Sequence, residues 1–343
     1  MVGEMTPVSV VVPCRNERRY IEDFLRGVVA QEAEDISLEI LVADGMSEDG
    51  TREIVREWTA RDGRIILIDN TVRIVSTGLN AAIAVSRGAV IVRMDVHTDY
   101  APDYLKQCVA VLKQTGTDNV GGPWRATGHG FLQEAIALAF QSPFSSGGAG
   151  SHRVDYEGPV DSVYLGCWRR EVFERFGMFD EELVRNQDDE HNLRIVRGGG
   201  RLWQSPRIRS SYHPRDSLPS LFAQYAQYGY WKVRVIQKHR LPASLRHVVP
   251  GVFSAVLLLS LAMAPFSRVA AVVLGAAAGG YVIANLVASV ATCARRAHWR
   301  FLPLMPAVLA AFHFGYGYGF LRGAWDFLVR RRGSDGFSRL TRG

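Results

Sequence analysis

Ala89–Tyr100 reads AVIVRMDVHTDY. It opens as the apolar run of a buried strand and then, within a few residues, presents Arg93, Asp95, His97 and Asp99. Ionisable groups at the end of such a run need a reason other than packing. The segments before it supply the frame. VSVVVP (Val8–Pro13), LEILVAD (Leu38–Asp44) and RIILID (Arg64–Asp69) are three more strand-like runs. Between them lie the helical period of ERRYIEDFLRGVVAQE and helices expected over Ser47–Trp58 and Leu79–Ser86. Alternating strands and helices predict an α/β fold, a mostly parallel sheet with helices on both faces. Ligands of such sheets bind outside the carboxyl ends of the strands. Here those ends carry Arg15, Asn16 and Glu17, then Asp44, then Arg73, then Arg93 and Asp95. No G-x-G-x-x-G follows the first strand and no Walker A motif occurs, which disfavours Rossmann dinucleotide binding and P-loop nucleotide hydrolysis.

A chain of 343 residues suggests about two domains. The four cysteines, Cys14, Cys108, Cys167 and Cys293, are scattered without a C-x-x-C pair. They indicate neither a zinc site nor a disulfide framework, and they fit a reducing, cytoplasmic setting. Much of the net charge of +6 comes from arginines near the C-terminus, beside very apolar segments. That placement favours a membrane surface over nucleic acid as partner. The runs Val248–Ser267, Val269–Ala294 and Phe301–Leu321 contain no Asp, Glu, Lys or Arg. Each reaches the roughly 20 residues an apolar helix needs to cross a bilayer. The expected division is a catalytic part, 1–240, followed by a membrane region, 241–343, with apolar segments over 248–266, 269–294 and 301–321 and a basic tail. The N-terminal MVGEMTPVSVVVP has no basic region and no small-residue cleavage site, so the catalytic part is expected to stay cytoplasmic, on a multi-pass protein of the cytoplasmic membrane.

The first two apolar runs, broken only at Ser267 and Arg268, read as a hairpin that returns the chain at Arg295, Arg296 and Arg300. A third full span would put Arg330, Arg331 and Arg332 outside, against the positive-inside tendency. That run also holds Pro303, Pro306, His313 and FGYGYGF, so a re-entrant or surface-lying helix is its alternative.

VSVVVPCRNE, LVADGMSEDGT, GLNAAIAVSRGAVIVRMDVH and FGMFDEELVRNQDDEHNLRIVRGGGRL, in that order, resemble a family 2 glycosyltransferase with the GT-A fold. The likeness runs from about Val8 to His247 and points to the branch of bacterial exopolysaccharide glucosyltransferases. It implies that Asp95-Val96-His97 stands where the family has D-x-D, whose acids hold a divalent cation against the donor's diphosphate. Histidine in place of the second acid leaves the cation as Mn²⁺ or Mg²⁺, since imidazole suits Mn²⁺ better than Mg²⁺. The plain alternatives are a solvated loop for His97 and a helix cap for Asp99.

The resemblance further implies that Pro13, Arg15, Glu17, Asp44, Arg73, Asn80 and Arg93 serve the nucleotide-sugar, with Asp44 on the uracil or ribose. For Glu17 the alternative is an acid at a helix start. In RNQDDEHNLR the family's E-D-x-D-L-x-x-R pattern places Asp188 as the base. Gln187 then replaces the usual Glu, and Asp189, Glu190 and Arg194 are supporting groups near the acceptor. An inverting transfer needs a carboxylate to take the acceptor hydroxyl's proton; an acidic first helical turn is the alternative, above all for Asp189 and Glu190. His213 stands where some GT-A enzymes supply a third metal ligand, or is a turn residue before Pro214. SPFSSGGAGSHR is a closing loop or a flexible linker, and QYAQYGYWK only faintly matches the Q-x-x-R-W signature of processive synthases.

The expected activity is therefore transfer from a UDP-sugar, UDP-glucose or a relative, to a polyprenyl-diphosphate-linked saccharide in surface polysaccharide assembly. A polyprenyl-phosphate sugar transferase is the rival enzyme. A non-catalytic membrane scaffold with a decayed GT-A domain is the rival outside enzymes, supported only by His97 and Gln187.

Overall fold

The computed structural model describes residues 5–331. Two compact units emerge from the contacts, one of 5–125 with Gly150–Tyr212, the other of Ala126–Ala149 with 213–331. By contacts the second unit takes in two stretches that the expected boundary at 240 assigned to the catalytic part, 126–149 and 213–240.

The first unit begins with β1 (Thr6–Cys14), α1 (Ile21–Val29), β2 (Ile36–Asp44), α2 (Thr51–Arg61), β3 (Ile65–Asp69), α3 (Val75–Val85) and β4 (Val90–Arg93). β5 (Thr98–Tyr100), α4 (Tyr104–Thr115) and β6 (Asn119–Gly122) follow. In the second unit come α5 (Phe131–Phe140) and α6 (Pro143–Ser146). The chain then returns to the first for β7 (Gly158–Pro159), β8 (Tyr164–Arg169), α7 (Glu171–Phe176), α8 (Gln187–Arg197), β9 (Leu202–Gln204) and β10 (Ser210–Tyr212).

One eight-stranded sheet has the order β3-β2-β1-β4-β8-β6-β9-β7, and β5 pairs with β10. The half β3-β2-β1-β4 is parallel throughout, while β8 runs antiparallel to both β4 and β6. The valine run of β1 is apolar on both faces because both are covered. Val8, Val10 and Val12 pack with Ile21, Leu25 and Leu105, and Val11 packs with Leu79, Ile83 and Trp168 on the other side. β1 sits between β2 and β4, so strand order reverses there, where ligands of open α/β sheets bind. α2 starts at Thr51, later than the expected Ser47. Ser47 is drawn instead into a turn with Asp44, and Gly50 ends that turn at φ +98°.

The second unit continues with α9 (Leu218–His239), α10 (Val249–Met263), α11 (Arg268–Ala294) and α12 (Met305–Gly323). Of the three expected spans, one helix among the described residues, α11, is long and apolar enough to cross a membrane. α10 has 15 residues, about 22 Å at helical rise, short of the roughly 30 Å hydrocarbon core. α12 has 19, but one side is spent on protein packing. Its glycines 315, 319 and 323 face Phe222, Ala226 and Tyr230 of α9; a Cβ at Gly315 would lie 2.7 Å from Phe222 O, and one at Gly323 2.6 Å from Tyr230 O. FGYGYGF is thus a stripe for close helix approach. Its partner α9 buries Gln224, Gln227 and Lys232, so this pair lacks the uniformly apolar character of a span. The expectation of three full spans is not met. Arg330 and Arg331 follow α12, whereas Arg332 and the rest of the basic tail lie outside the described residues.

Candidate active site

The parallel strands deliver their ends side by side. Cys14 of β1 is in register with Asp44 of β2, Asp44 with Asp69 of β3, and Val11 with Arg93 of β4. The loops beyond β1 and β2 are knitted together. Asn16, in the left-handed region at φ 54°, donates its N–H to Ser47 Oγ (2.8 Å) and accepts from Glu48 N (3.1 Å). Glu17 N donates to Thr51 Oγ1 (2.8 Å) and Arg18 N to Asp49 Oδ2 (3.1 Å). Asp44 is fully buried. Ser47 Oγ holds its Oδ1 (2.5 Å), while Ser47 N (3.0 Å) and Arg52 Nη1 (2.7 Å) hold Oδ2. Arg52 also reaches Asp69 at 2.6 Å, and the two acids keep its pKa above the ordinary arginine value. Asp44, expected at the uracil or ribose, has both oxygens engaged within this loop. Pro13 is half-buried in β1, Arg15 lies exposed over Gly45, and Arg73 is exposed in a left-handed turn at φ 67°. Asn80, also expected at the nucleotide, commits both amide hydrogens elsewhere, to Phe179 O (2.8 Å) and Glu181 Oε1 (2.9 Å).

At the end of β4 the charges pair. Arg93 grips Asp95 with two parallel bonds, Nε to Oδ1 at 2.8 Å and Nη2 to Oδ2 at 2.9 Å. Its third nitrogen, Nη1, stands 3.9 Å from Asp188 Oδ2 and makes no hydrogen bond among the described residues. Burial opposes the charge on Arg93, but Asp95 and Asp188 outweigh it and raise its pKa. His97 Nε2 lies 2.8 Å from Glu17 Oε2, and its ring leans on Tyr20. Glu17 thus meets the expected metal ligand. Tyr100 closes the turn, its hydroxyl accepting from Asp95 N (2.6 Å) and donating to Asp95 O (3.1 Å). Burial and the nearby Asp95 push that hydroxyl's pKa up. Thr98 Oγ1 meets the Tyr164 hydroxyl at 2.9 Å.

α8 brings the acid run to the same place, and its acids differ sharply. Asp188 is the open one, with 39% of its side chain exposed against 4% for Glu190. Glu190 is locked by Arg194, which bonds it twice at 2.8 Å and also donates to Phe176 O and Met178 O. Asp189 accepts from Ser162 Oγ (3.2 Å). Gln187 is buried, with its carbonyl oxygen lacking a hydrogen-bond partner among the described residues. His213 belongs to the second unit, where it stacks on His129 at 5.3 Å.

Asp95 and His97 offer one carboxylate and one imidazole, a donor set that suits Mn²⁺. Among the described residues no group of three or more His, Cys, Asp or Glu is placed to hold a metal ion. The remaining positions would fall to donor phosphate oxygens and water. Arg52, Tyr100 and Tyr164 did not stand out in the sequence. Arg52 had a usable signal, a basic residue in the first turn of the helix after Asp44, whereas Tyr164 is placed by the pairing of β8 with β6, opposite Gly122.

Residues 9–177 match the model of glycosyl transferase family 2. The succinoglycan biosynthesis protein ExoA of Rhizobium meliloti is 33% identical over 252 residues, 72% of this chain and 76% of ExoA. The chain is a family 2 glycosyltransferase. Its relatives place it in polysaccharide or glycan biosynthesis. A second, the dolichyl N-acetyl-α-D-glucosaminyl phosphate 3-β-D-2,3-diacetamido-2,3-dideoxy-β-D-glucuronosyltransferase of Methanococcus voltae, is 24% identical over 93% of this chain and 97% of its own. Among solved structures, the mannosyltransferase PcManGT from Pyrobaculum calidifontis, in complex with GDP-Man and Mn²⁺, superposes with TM-score 0.58 and 21% identity. It covers 93% of this chain and 87% of PcManGT, a likeness of fold. The α/β GT-A-like fold is that of the family, whose members typically use a divalent cation.

Proposed function

We propose that this glycosyltransferase moves a sugar from a UDP-sugar, in the first instance UDP-glucose, to a polyprenyl-diphosphate-linked saccharide, with inversion. The observation that carries the reading is the meeting of Asp95 and Asp188 on one buried arginine, from elements far apart in the chain. Asp188, the accessible acid of α8, takes the acceptor hydroxyl's proton as that oxygen attacks the anomeric carbon opposite the departing diphosphate. Asp95 and His97 would hold a divalent cation, whose charge would offset that gained by the leaving nucleoside diphosphate. Arg15 and Arg73, exposed at the strand ends, attract that diphosphate and its nucleoside. Glu190 and Arg194 fix α8 so that Asp188 keeps its position.

We place the catalytic site on the cytoplasmic face and assign membrane attachment to α10 and α11. Leu258, Leu259, Leu261 and Met263 of α10 and Val269, Val272, Ile283 and Val287 of α11 are exposed, an apolar surface far larger than scattered single residues explain. Arg295, Arg296 and Arg300 follow α11 and suit an anionic headgroup layer. Full-length enzyme in membranes, offered UDP-sugars and GDP-mannose with extracted acceptor lipids and read by product mass, tests the assignment. Transfer from UDP-glucose to a diphosphate-linked saccharide is expected. Transfer from GDP-mannose alone, or to a lipid monophosphate, would overturn it.

A further inference from the structure

We infer that Arg93 is a movable counter-ion shared by Asp95 and Asp188: a divalent cation arriving at Asp95 displaces it, and it then pairs with Asp188. The inference rests on the proposed roles of those two acids. Arg93 and Asp95 are two residues apart at the end of one strand, and the guanidinium occupies both carboxylate oxygens at 2.8 and 2.9 Å. A cation cannot take Asp95 in the usual way while both oxygens are held by another positive group.

An arginine cannot shed its proton to make room. It is also buried, with only 9% of its side chain exposed, so water offers it no escape. It must find another anion, and one is already in place. Nη1 has no hydrogen bond among the described residues and is 3.9 Å from Asp188 Oδ2. A shift of about 1 Å would convert that approach into a charge-assisted bond.

The handover gives an order to events. Before the cation binds, Arg93 is spent on Asp95 and stands 3.9 Å from Asp188 Oδ2. Afterwards the freed guanidinium fixes the carboxylate of Asp188 beside the acceptor. Cation and base are then coupled through one side chain, and the coupling is reciprocal.

Mn²⁺ binding to the full-length, detergent-solubilised enzyme without donor tests this, with calorimetry as readout. Arg93→Gln should bind Mn²⁺ about tenfold more tightly, since the competitor for Asp95 is gone, while kcat falls. Mere structural damage would weaken binding instead. Asp188→Asn should weaken Mn²⁺ binding several-fold although Asp188 is no ligand, and this effect should vanish when added to Arg93→Gln. That double-variant comparison separates the handover from a simple change of local charge. Unchanged or weaker Mn²⁺ binding in Arg93→Gln, with a native melting profile, would overturn the handover, as would equal Asp188→Asn effects in both backgrounds. If Arg93→Gln fails to fold, an unchanged affinity in Asp188→Asn alone overturns it. Mn²⁺ binding that survives Asp95→Asn would overturn the cation assignment itself, and the inference with it.

Discussion

Two arginine–carboxylate clamps stand near each other in the first unit and behave as opposites. Arg194 grips Glu190 on α8 with two bonds and uses its remaining reach on the carbonyls of Phe176 and Met178. Every nitrogen is occupied, and the carboxylate is sealed from water. Arg93 grips Asp95 with equally good geometry, yet its Nη1 makes no hydrogen bond among the described residues and has a second carboxylate at 3.9 Å. The pairs look alike in a list of ion pairs. A saturated clamp holds structure, whereas an unsaturated one keeps a charge ready to move.

The largest effect expected from this contrast is on stability. Arg194→Ala leaves Glu190 buried without its cation and frees two carbonyls, and should cost about 3–5 kcal/mol. Thermal or urea melts would show it, and a loss below 1 kcal/mol would mean the closed clamp is not structural. Next comes Asp188→Asn, which should preserve the fold and nucleotide binding but reduce transfer by roughly 10²-fold or more. If Asp189→Asn proves the more damaging of the two, the base lies one residue further on. Near-normal transfer in Asp188→Asn would favour a phosphate acceptor, which needs less help from a base.

A smaller effect concerns acid. His191 packs against Phe173 and Phe179, gives its Nε2 hydrogen to Gly177 O, and is held neutral by burial and by Arg194, with its pKa lowered to about 3. In the unfolded chain the same ring takes up a proton near pH 6.5. Its contribution to stability is therefore complete above that pH and declines as pH falls from 6.5 toward 3. His191→Phe keeps the ring packing and should lose less stability on acidification over that window, read as urea midpoint against pH. Parallel curves for the two proteins would remove His191 from the closed clamp's surroundings as a pH-sensitive element.

The smallest effect is a change of preference. His97→Asp should retain transfer and shift the favoured ion toward Mg²⁺, because carboxylate oxygen suits it better than imidazole. An unchanged metal profile in His97→Ala would remove His97 from the cation's ligands and leave it a partner of Glu17 and Tyr20.

What was legible in the sequence was whatever has a short period or a local spacing. Four apolar runs separated by helical ones foretold a parallel α/β half-sheet with charged residues at its strand ends. Local order in Asp95-Val96-His97 and in the acid run of α8 was enough to bring both into consideration. Counting charge-free stretches foresaw the long apolar helix α11, but the count cannot see that α10 is short or that the glycines of α12 face α9.

Only the tertiary structure decided which acids are open and which are sealed. Asp188 and Glu190 are two residues apart and chemically alike, yet helical geometry turns one outward and the other into the grip of Arg194. The same holds for Asp44, which the family resemblance put at the nucleotide and whose oxygens are engaged by Ser47 and Arg52. A carboxylate's role depends on who occupies its lone pairs, and those occupants arrive from distant segments. The sequence by itself determined the strand ends and the chemistry present there. Folding determined, through burial and pairing, which of those groups remain available to a substrate.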